Sequence, residues 1–374
     1  MKVCFLLTHI PNPRINKRIS AIKKTAETIV VCARRSSQNI WEPSQDVDHI
    51  IFDIDLPSAQ HIIKRYIVSS SFQKKAIKAI TEFKPDVLYV EGLDSLIVAY
   101  QYKLSHKIKV IFEVADLREN YISRPKNPLK RIITTFLLWK EQKVFVAVDN
   151  LVVTSPNFYE LHYKKLIPQS RMLVIPNIPD MDLFKAYKRK NSGQFTIGFI
   201  GGIRYLAQMK MLVDASIVQG VNVLFAGAGV TTSEYNEIQR YCKNMSNVIF
   251  TGKYNYDSEI VNLYERVDCV YAVYDADNPN VKVALPNKLY ESIACGLPII
   301  VAKGTYLAEL VELWGVGVSV SHLDIHELED CITRLKDDSE YYNCIRNNCK
   351  VLKTTFNDDW KGTLTSIINQ GLIG

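Results

Sequence analysis

Lys288 and Glu291 stand three residues apart in Leu285-Pro286-Asn287-Lys288-Leu289-Tyr290-Glu291-Ser292-Ile293-Ala294-Cys295-Gly296-Leu297-Pro298. A loop here runs into a short helical pattern, and the spacing puts both charges on one helix face. The first amides of a helix lack intrahelical partners and lie at the positive end of its dipole, so anions bind there. A lysine at that point adds a full cation. A carboxylate can accept both hydroxyls of a ribose diol while the lysine and the free amides hold a diphosphate. The pattern outlines a nucleotide-sugar site. Read alone, it fits an ordinary surface helix equally well.

Other patterns also carry chemistry in outline. Asp275-Ala276-Asp277 follows a strand-like run with the spacing of an Asp-x-Asp pair that holds a divalent metal in a different fold, one that would not need a repeated nucleotide-fold organisation. Gly227-Ala228-Gly229 has two glycines of a dinucleotide turn without the third. His322 and His326 lie four apart without further ligands nearby and read as a helix start.

The elements that must position such groups follow from hydrophobic patterning. Short apolar runs alternate with longer helical stretches, the habit of parallel sheets wrapped by helices. Strands are expected at Val3–Leu7, Thr28–Cys32, Ile50–Phe52, Val87–Val90, Val110–Glu113, Leu151–Thr154 and Met172–Ile175, then at Phe195–Ile200, Val221–Ala226, Val248–Thr251, Cys269–Ala272, Pro298–Val301 and Val316–Val320. Between them, helices are expected at Arg14–Thr25, Gln60–Phe83, Leu129–Val146 and Asn157–Lys165, and later at Gln208–Gln219, Glu234–Lys243, Ser258–Val267, Asn287–Ala294, Tyr306–Leu313 and Ile325–Lys336. The polar stretch Asp180–Gln194 marks a boundary, giving an α/β chain of two doubly wound domains, 1–180 and 181–355. In the tail, 356–374, Phe356, Trp360 and Leu364 share one helix face, expected to return to the first domain. Ligands of such folds bind at strand carboxyl ends, which places the site in a cleft between the domains.

A chain of 374 residues exceeds the usual single domain, and 47% hydrophobic with 23% charged residues suits a soluble globular protein. No apolar run approaches the ~20 residues that span a bilayer. The segment from Met1 to His9 is too short for a signal sequence and reads as a first strand. None of the eight cysteines forms a Cys-x-x-Cys pair, so a reducing cytoplasm is expected. The net charge of +7 is uneven: residues 1–180 hold 27 Lys+Arg against 17 Asp+Glu (+10), and residues 181–374 hold 19 against 22 (−3). Only the first half is therefore expected to face an anionic surface, such as the inner membrane face or a lipid-diphosphate acceptor. No nucleic-acid motif accompanies the charge.

Taken in order, several segments resemble GT-B glycosyltransferases: Lys84-Pro85-Asp86-Val87-Leu88-Tyr89-Val90, Val174-Ile175-Pro176-Asn177-Ile178, Ile197-Gly198-Phe199-Ile200-Gly201-Gly202-Ile203-Arg204, Asn247-Val248-Ile249-Phe250-Thr251-Gly252, Leu263-Tyr264-Glu265-Arg266-Val267-Asp268, and the block from Pro286 to Pro298. They run across nearly the whole chain in the family's order. The chain resembles the family-four group of retaining nucleotide-sugar glycosyltransferases, especially bacterial surface-polysaccharide members.

That resemblance implies two Rossmann-like domains and metal-independent transfer of a sugar from a nucleotide-diphosphate donor to a glycan or lipid-linked acceptor, without a cofactor. It implies that Arg204 and Lys210 reach the diphosphate as catalytic cations, Gly201 and Gly202 let backbone approach it, Lys288 and the Leu289 amide bind phosphate, and Glu291 binds ribose. Asn287 belongs to the same donor block. The family's first acid, eight before Glu291, is Val283 here, with Asn280 and Lys282 as substitutes. Phe112-Glu113-Val114-Ala115-Asp116-Leu117-Arg118 resembles the turn facing the transferred sugar, with Ala115 at the usual His or Arg, which makes Asp116 a catalytic candidate or a helix N-cap. Arg14, Lys17 and Arg18 fall where the family binds acceptor, and also fit a solvated basic face. The basic, apolar stretch from Lys126 to Lys140 fits a membrane-docking or a buried helix. Two rival readings stay open, a sugar-nucleotide 2-epimerase and a catalytically inactive sugar-nucleotide-binding subunit, the latter suggested by Val283 and Ala115.

Overall fold

The structure, a computed structural model, describes all residues except 35–42, 55–61, 118–126, 191–192, 230–231, 357–358 and 371–374. The chain forms two compact units, Met1–Pro176 with Asp358–Gly374, and Asn177–Asn357. The division falls four residues before the expected 180/181 boundary, at Pro176, after the last strand of the first sheet.

Among the described residues, unit 1 holds seven parallel strands: β1 (Lys2–Leu7), β2 (Glu27–Ala33), β3 (Asp48–Phe52), β4 (Val87–Glu91), β5 (Lys109–Val114), β6 (Asn150–Val153) and β7 (Met172–Val174), in the order β3-β2-β1-β4-β5-β6-β7. Its helices are α1 (Pro13–Ile22), α2 (Ile62–Phe83), α3 (Leu93–Lys103), α4 (Pro128–Phe145) and α5 (Pro156–Leu161). Helix α1 starts where Asn12 accepts the Ile15 amide at 3.0 Å and Pro13 supplies a helix-ready φ. Strands such as Val3–Leu7 are apolar at every position because helices cover both sheet faces.

The described residues of unit 2 form six: β8 (Thr196–Ile200), β9 (Asn222–Ala226), β10 (Val248–Gly252), β11 (Cys269–Ala272), β12 (Ile299–Ala302) and β13 (Gly317–Val320), in the order β10-β9-β8-β11-β12-β13. Its helices are α6 (Leu206–Gln219), α7 (Thr232–Tyr241), α8 (Tyr256–Tyr264), α9 (Pro279–Val283), α10 (Asn287–Cys295), α11 (Tyr306–Trp314), α12 (Ile325–Asp337) and α13 (Ser339–Lys353). In both sheets the strand order reverses beside the first strand, between β1 and β4 and between β8 and β11. Those switch points are where doubly wound sheets open a crevice at their carboxyl edge.

Helix α14 (Asp359–Asn369) belongs to unit 1, where Leu364 and Ile368 are buried among β1 residues and Trp360 lies under Arg18, 4.5 Å from ring centroid to guanidinium carbon. Phe356 does not share that face as expected. It packs on Tyr290 of unit 2, with ring centroids 5.6 Å apart.

Candidate functional site

The loop leaving β8 and the segment leaving β11 meet at the switch point of unit 2. Gly201 has φ of +144°, a conformation that disfavours any Cβ, and a Cβ there would lie 2.7 Å from Lys288 Nζ. Gly227, at the end of β9, is tighter still: its Cβ would meet the Gly201 carbonyl oxygen at 2.1 Å. The glycine pair read as an incomplete dinucleotide turn therefore supports the Gly201 loop, and an isolated bridge joins Ile203 to Gly229.

Lys288 lies in the first turn of α10 and is 8% exposed. Its Nζ is 3.0 Å from the Tyr274 hydroxyl and 4.3 Å from the Phe199 ring centroid. Among the described residues no carboxylate pairs with it. Arg204, exposed, lies over the Tyr205 ring at 5.1 Å and the Tyr274 ring at 6.0 Å, also without a carboxylate among the described residues. Two cations thus converge on Tyr274 with only neutral partners. A buried cation without a counter-ion is costly, and an anion removes the cost.

Glu291 is 3% exposed on the same helix. Tyr256 donates to its Oε1 at 2.7 Å and Tyr264 to its Oε2 at 2.6 Å. Burial first, then the charge of Glu291, push both tyrosine hydroxyls well above their ordinary value, so they stay protonated donors. A carboxylate has about four acceptor positions. Two are taken, which leaves one on each oxygen for a vicinal diol.

The remaining donor-side residues are placed as follows. Asn287 opens α10, and its side-chain oxygen accepts from Asn177. The Leu289 amide, expected free, donates to the Pro286 carbonyl at 3.1 Å, because the first turn tightens there. Gly202 is exposed beside Gly201, and Asn280 lies in α9, where its amide donates to Asn278. Lys210 is held instead by Glu237 of α7 at 2.7 Å and lies 5.2 Å from the Tyr241 ring centroid. That pairing gives it the character of a surface helix residue.

In unit 1 Arg14 and Arg18, the acceptor candidates, do not form the solvated basic face of the alternative reading. Arg14 and Arg18 are 6% and 1% exposed. Arg14 pairs with Glu91 at 2.8 Å and with Glu113, and Arg18 donates to the Ile175 carbonyl at 3.2 Å. Tyr89 also donates to Glu113. These groups gather at the carboxyl ends of β1, β4 and β5, with His9 Nε2 3.6 Å from Glu91. Lys17, in α1, is half-buried. Asp116 is exposed in the bend after β5, and Arg118 and Lys126 lie outside the described residues.

Asp275, Asp277 and His322 each bring one potential ligand atom within 4.8 Å of the others. Sequence separation hid this grouping, since His322 follows β13. Asp275 also accepts the Asp277 amide at 3.0 Å and faces His322 Nδ1 at 3.6 Å.

Residues 180–351 match the family model described as Glycosyl transferases group 1. Succinoglycan biosynthesis protein ExoL of Rhizobium meliloti (strain 1021) is 22% identical over 345 residues, 88% of this chain and 83% of that protein. Among solved structures, sucrose-phosphate synthase from Thermosynechococcus elongatus matches with a TM-score of 0.74 and 14% identity over 100% of this chain and 99% of that one. Anabaena Alr3699/HepE in complex with UDP-glucose matches at 0.71 and 16%, over 100% and 99%. The structural likenesses share the GT-B fold.

Proposed function

We propose a donor and an acceptor for this chain, a glycosyltransferase on the GT-B fold whose second unit is a group 1 glycosyl transferase domain. The donor is a nucleotide-diphosphate sugar. One observation carries this reading: Lys288 and Arg204 converge on Tyr274 without a carboxylate among the described residues, beside a carboxylate fixed by two tyrosines. The cations suit diphosphate oxygens and Glu291 suits a ribose diol.

Negative charge grows on the departing diphosphate as the glycosidic bond breaks. Preorganised cations stabilise that charge, each worth roughly 3 kcal/mol. Protein cations fill this role, so no metal or cofactor enters a step. The acceptor is a glycan or lipid-linked saccharide, by the family resemblance, and the relative from Rhizobium meliloti, a succinoglycan biosynthesis protein by name, supports a place in polysaccharide synthesis. Transfer retains the anomeric configuration, by the family resemblance, and the basic first unit works at an anionic inner membrane face.

Incubation with labelled nucleotide sugars, a lipid-extract acceptor and a chelator tests this. Chelator-insensitive transfer with a retained anomer is expected. Release of an isomerised free sugar, or binding without turnover, would overturn it in favour of an epimerase or an inactive subunit.

A further inference from the structure

We propose that the outer face of α4 docks on an anionic lipid bilayer, lying in its interface. This names the surface behind the membrane contact in the reading above and rests on it only for the choice of leaflet. Leu129, Ile132, Phe136 and Trp139 are 65%, 68%, 55% and 55% exposed. At 3.6 residues per turn all four fall within an arc of about 80°. Thr134, Glu141, Val144 and Phe145 are buried on the opposite side. The helix is thus anchored by one face and presents a continuous apolar stripe on the other, which a water-facing helix does not need.

The charges choose the occupant. Arg131 and Lys143 are exposed and Lys140 is half-buried. Lys143 lies 5.5 Å from the Trp139 ring centroid, and the Phe136 and Trp139 rings are 5.8 Å apart. The helix has one acidic residue, Glu141, which is turned inward, 2.8 Å from His162 Nε2. The exposed face of the helix therefore carries cations and, among the described residues of the helix, no carboxylate. Aromatic and aliphatic side chains, with Lys143 at the C-terminal end of their stripe and Arg131 beside it, match a bilayer interface with acidic headgroups. A second copy fits poorly, because a two-fold contact would set the same cations against each other. Among the described residues no helix is long and apolar enough to cross a membrane.

Vesicle co-sedimentation of the full chain tests the surface, with pure phosphatidylcholine against phosphatidylcholine containing phosphatidylglycerol. Binding to the anionic vesicles, weakened by salt, is expected, with Trp139 fluorescence shifting to the blue. The Phe136→Ser/Trp139→Ser variant, altered only at exposed positions, should bind at least roughly tenfold more weakly. Equal sedimentation of both proteins, or none by the wild type, would overturn the proposal. So would a concentration-dependent dimer, lost in the variant, without vesicle binding. Nucleotide-induced melting shifts, read on the same samples, should be equal in both proteins, so failure of the donor site and failure of this surface are told apart.

Discussion

Tyr264, at the end of α8, donates its hydroxyl to Oε2 of Glu291 at 2.6 Å, with both side chains buried. A carboxylate this enclosed keeps one orientation only while its donors hold it. Tyr264→Phe removes a hydrogen bond to a charged group, a class worth about 1.5–3 kcal/mol. Nucleoside diphosphate affinity should fall about tenfold by titration calorimetry. Unchanged affinity would reduce the tyrosine to packing.

Gly201 and Gly227 separate function from folding. In Gly201→Ala the new Cβ meets the end of the long Lys288 side chain at 2.7 Å and the φ of +144° adds strain, so stability should fall and turnover should fall further than that loss explains. In Gly227→Ala the Cβ meets a backbone oxygen at 2.1 Å, which cannot swing aside. That variant should lose at least about 2 kcal/mol of stability. Paired denaturant melts and initial rates check both.

Lys210 and Arg204 make an internal comparison. Lys210 already has Glu237, and a half-exposed pair of this kind contributes little. Lys210→Ala should lower kcat/KM by less than about threefold, and Arg204→Ala by about 100-fold. Similar losses would place Lys210 on the donor after all.

Glu91 gives unit 1 an acid sensitivity. Burial alone would raise its carboxyl above the ordinary 4.5, but Arg14 and His9 outweigh that and hold it at about 2. Its folded value lies below its unfolded one, so the stabilisation is complete above about pH 4.5 and lost as pH falls toward 2. Between neutrality and roughly pH 3 the wild type should lose about 2 kcal/mol that Glu91→Gln does not lose. Parallel denaturant melts at the two pH values would show it.

Strand positions were legible because buried parallel strands read as short apolar runs, and every expected strand has its counterpart. Helix α3 was not, since Leu93 to Ala99 are buried without interruption and leave no polar face to set a period. The donor block was legible at Lys288 and Glu291. Tyr256, Tyr264 and Tyr274 were not, because aromatic residues at helix and strand ends read as core until topology brings them to a charge. The burial of Arg14 and Arg18, acceptor candidates by resemblance, was hidden for the same reason. A basic helix start reads as solvated, and its partners Glu91 and Glu113 end two separate strands. His322 joins Asp275 and Asp277 only through the order of β11, β12 and β13.

Titration calorimetry with a panel of nucleoside diphosphates tests the diphosphate grip most directly. At least one should bind the wild type, and Arg204→Ala and Lys288→Met should each weaken it by about 10-fold or more, with unliganded melting temperatures preserved in Arg204→Ala. Equal affinity in all three proteins, or no binding by the wild type, would contradict a diphosphate held between Lys288 and Arg204.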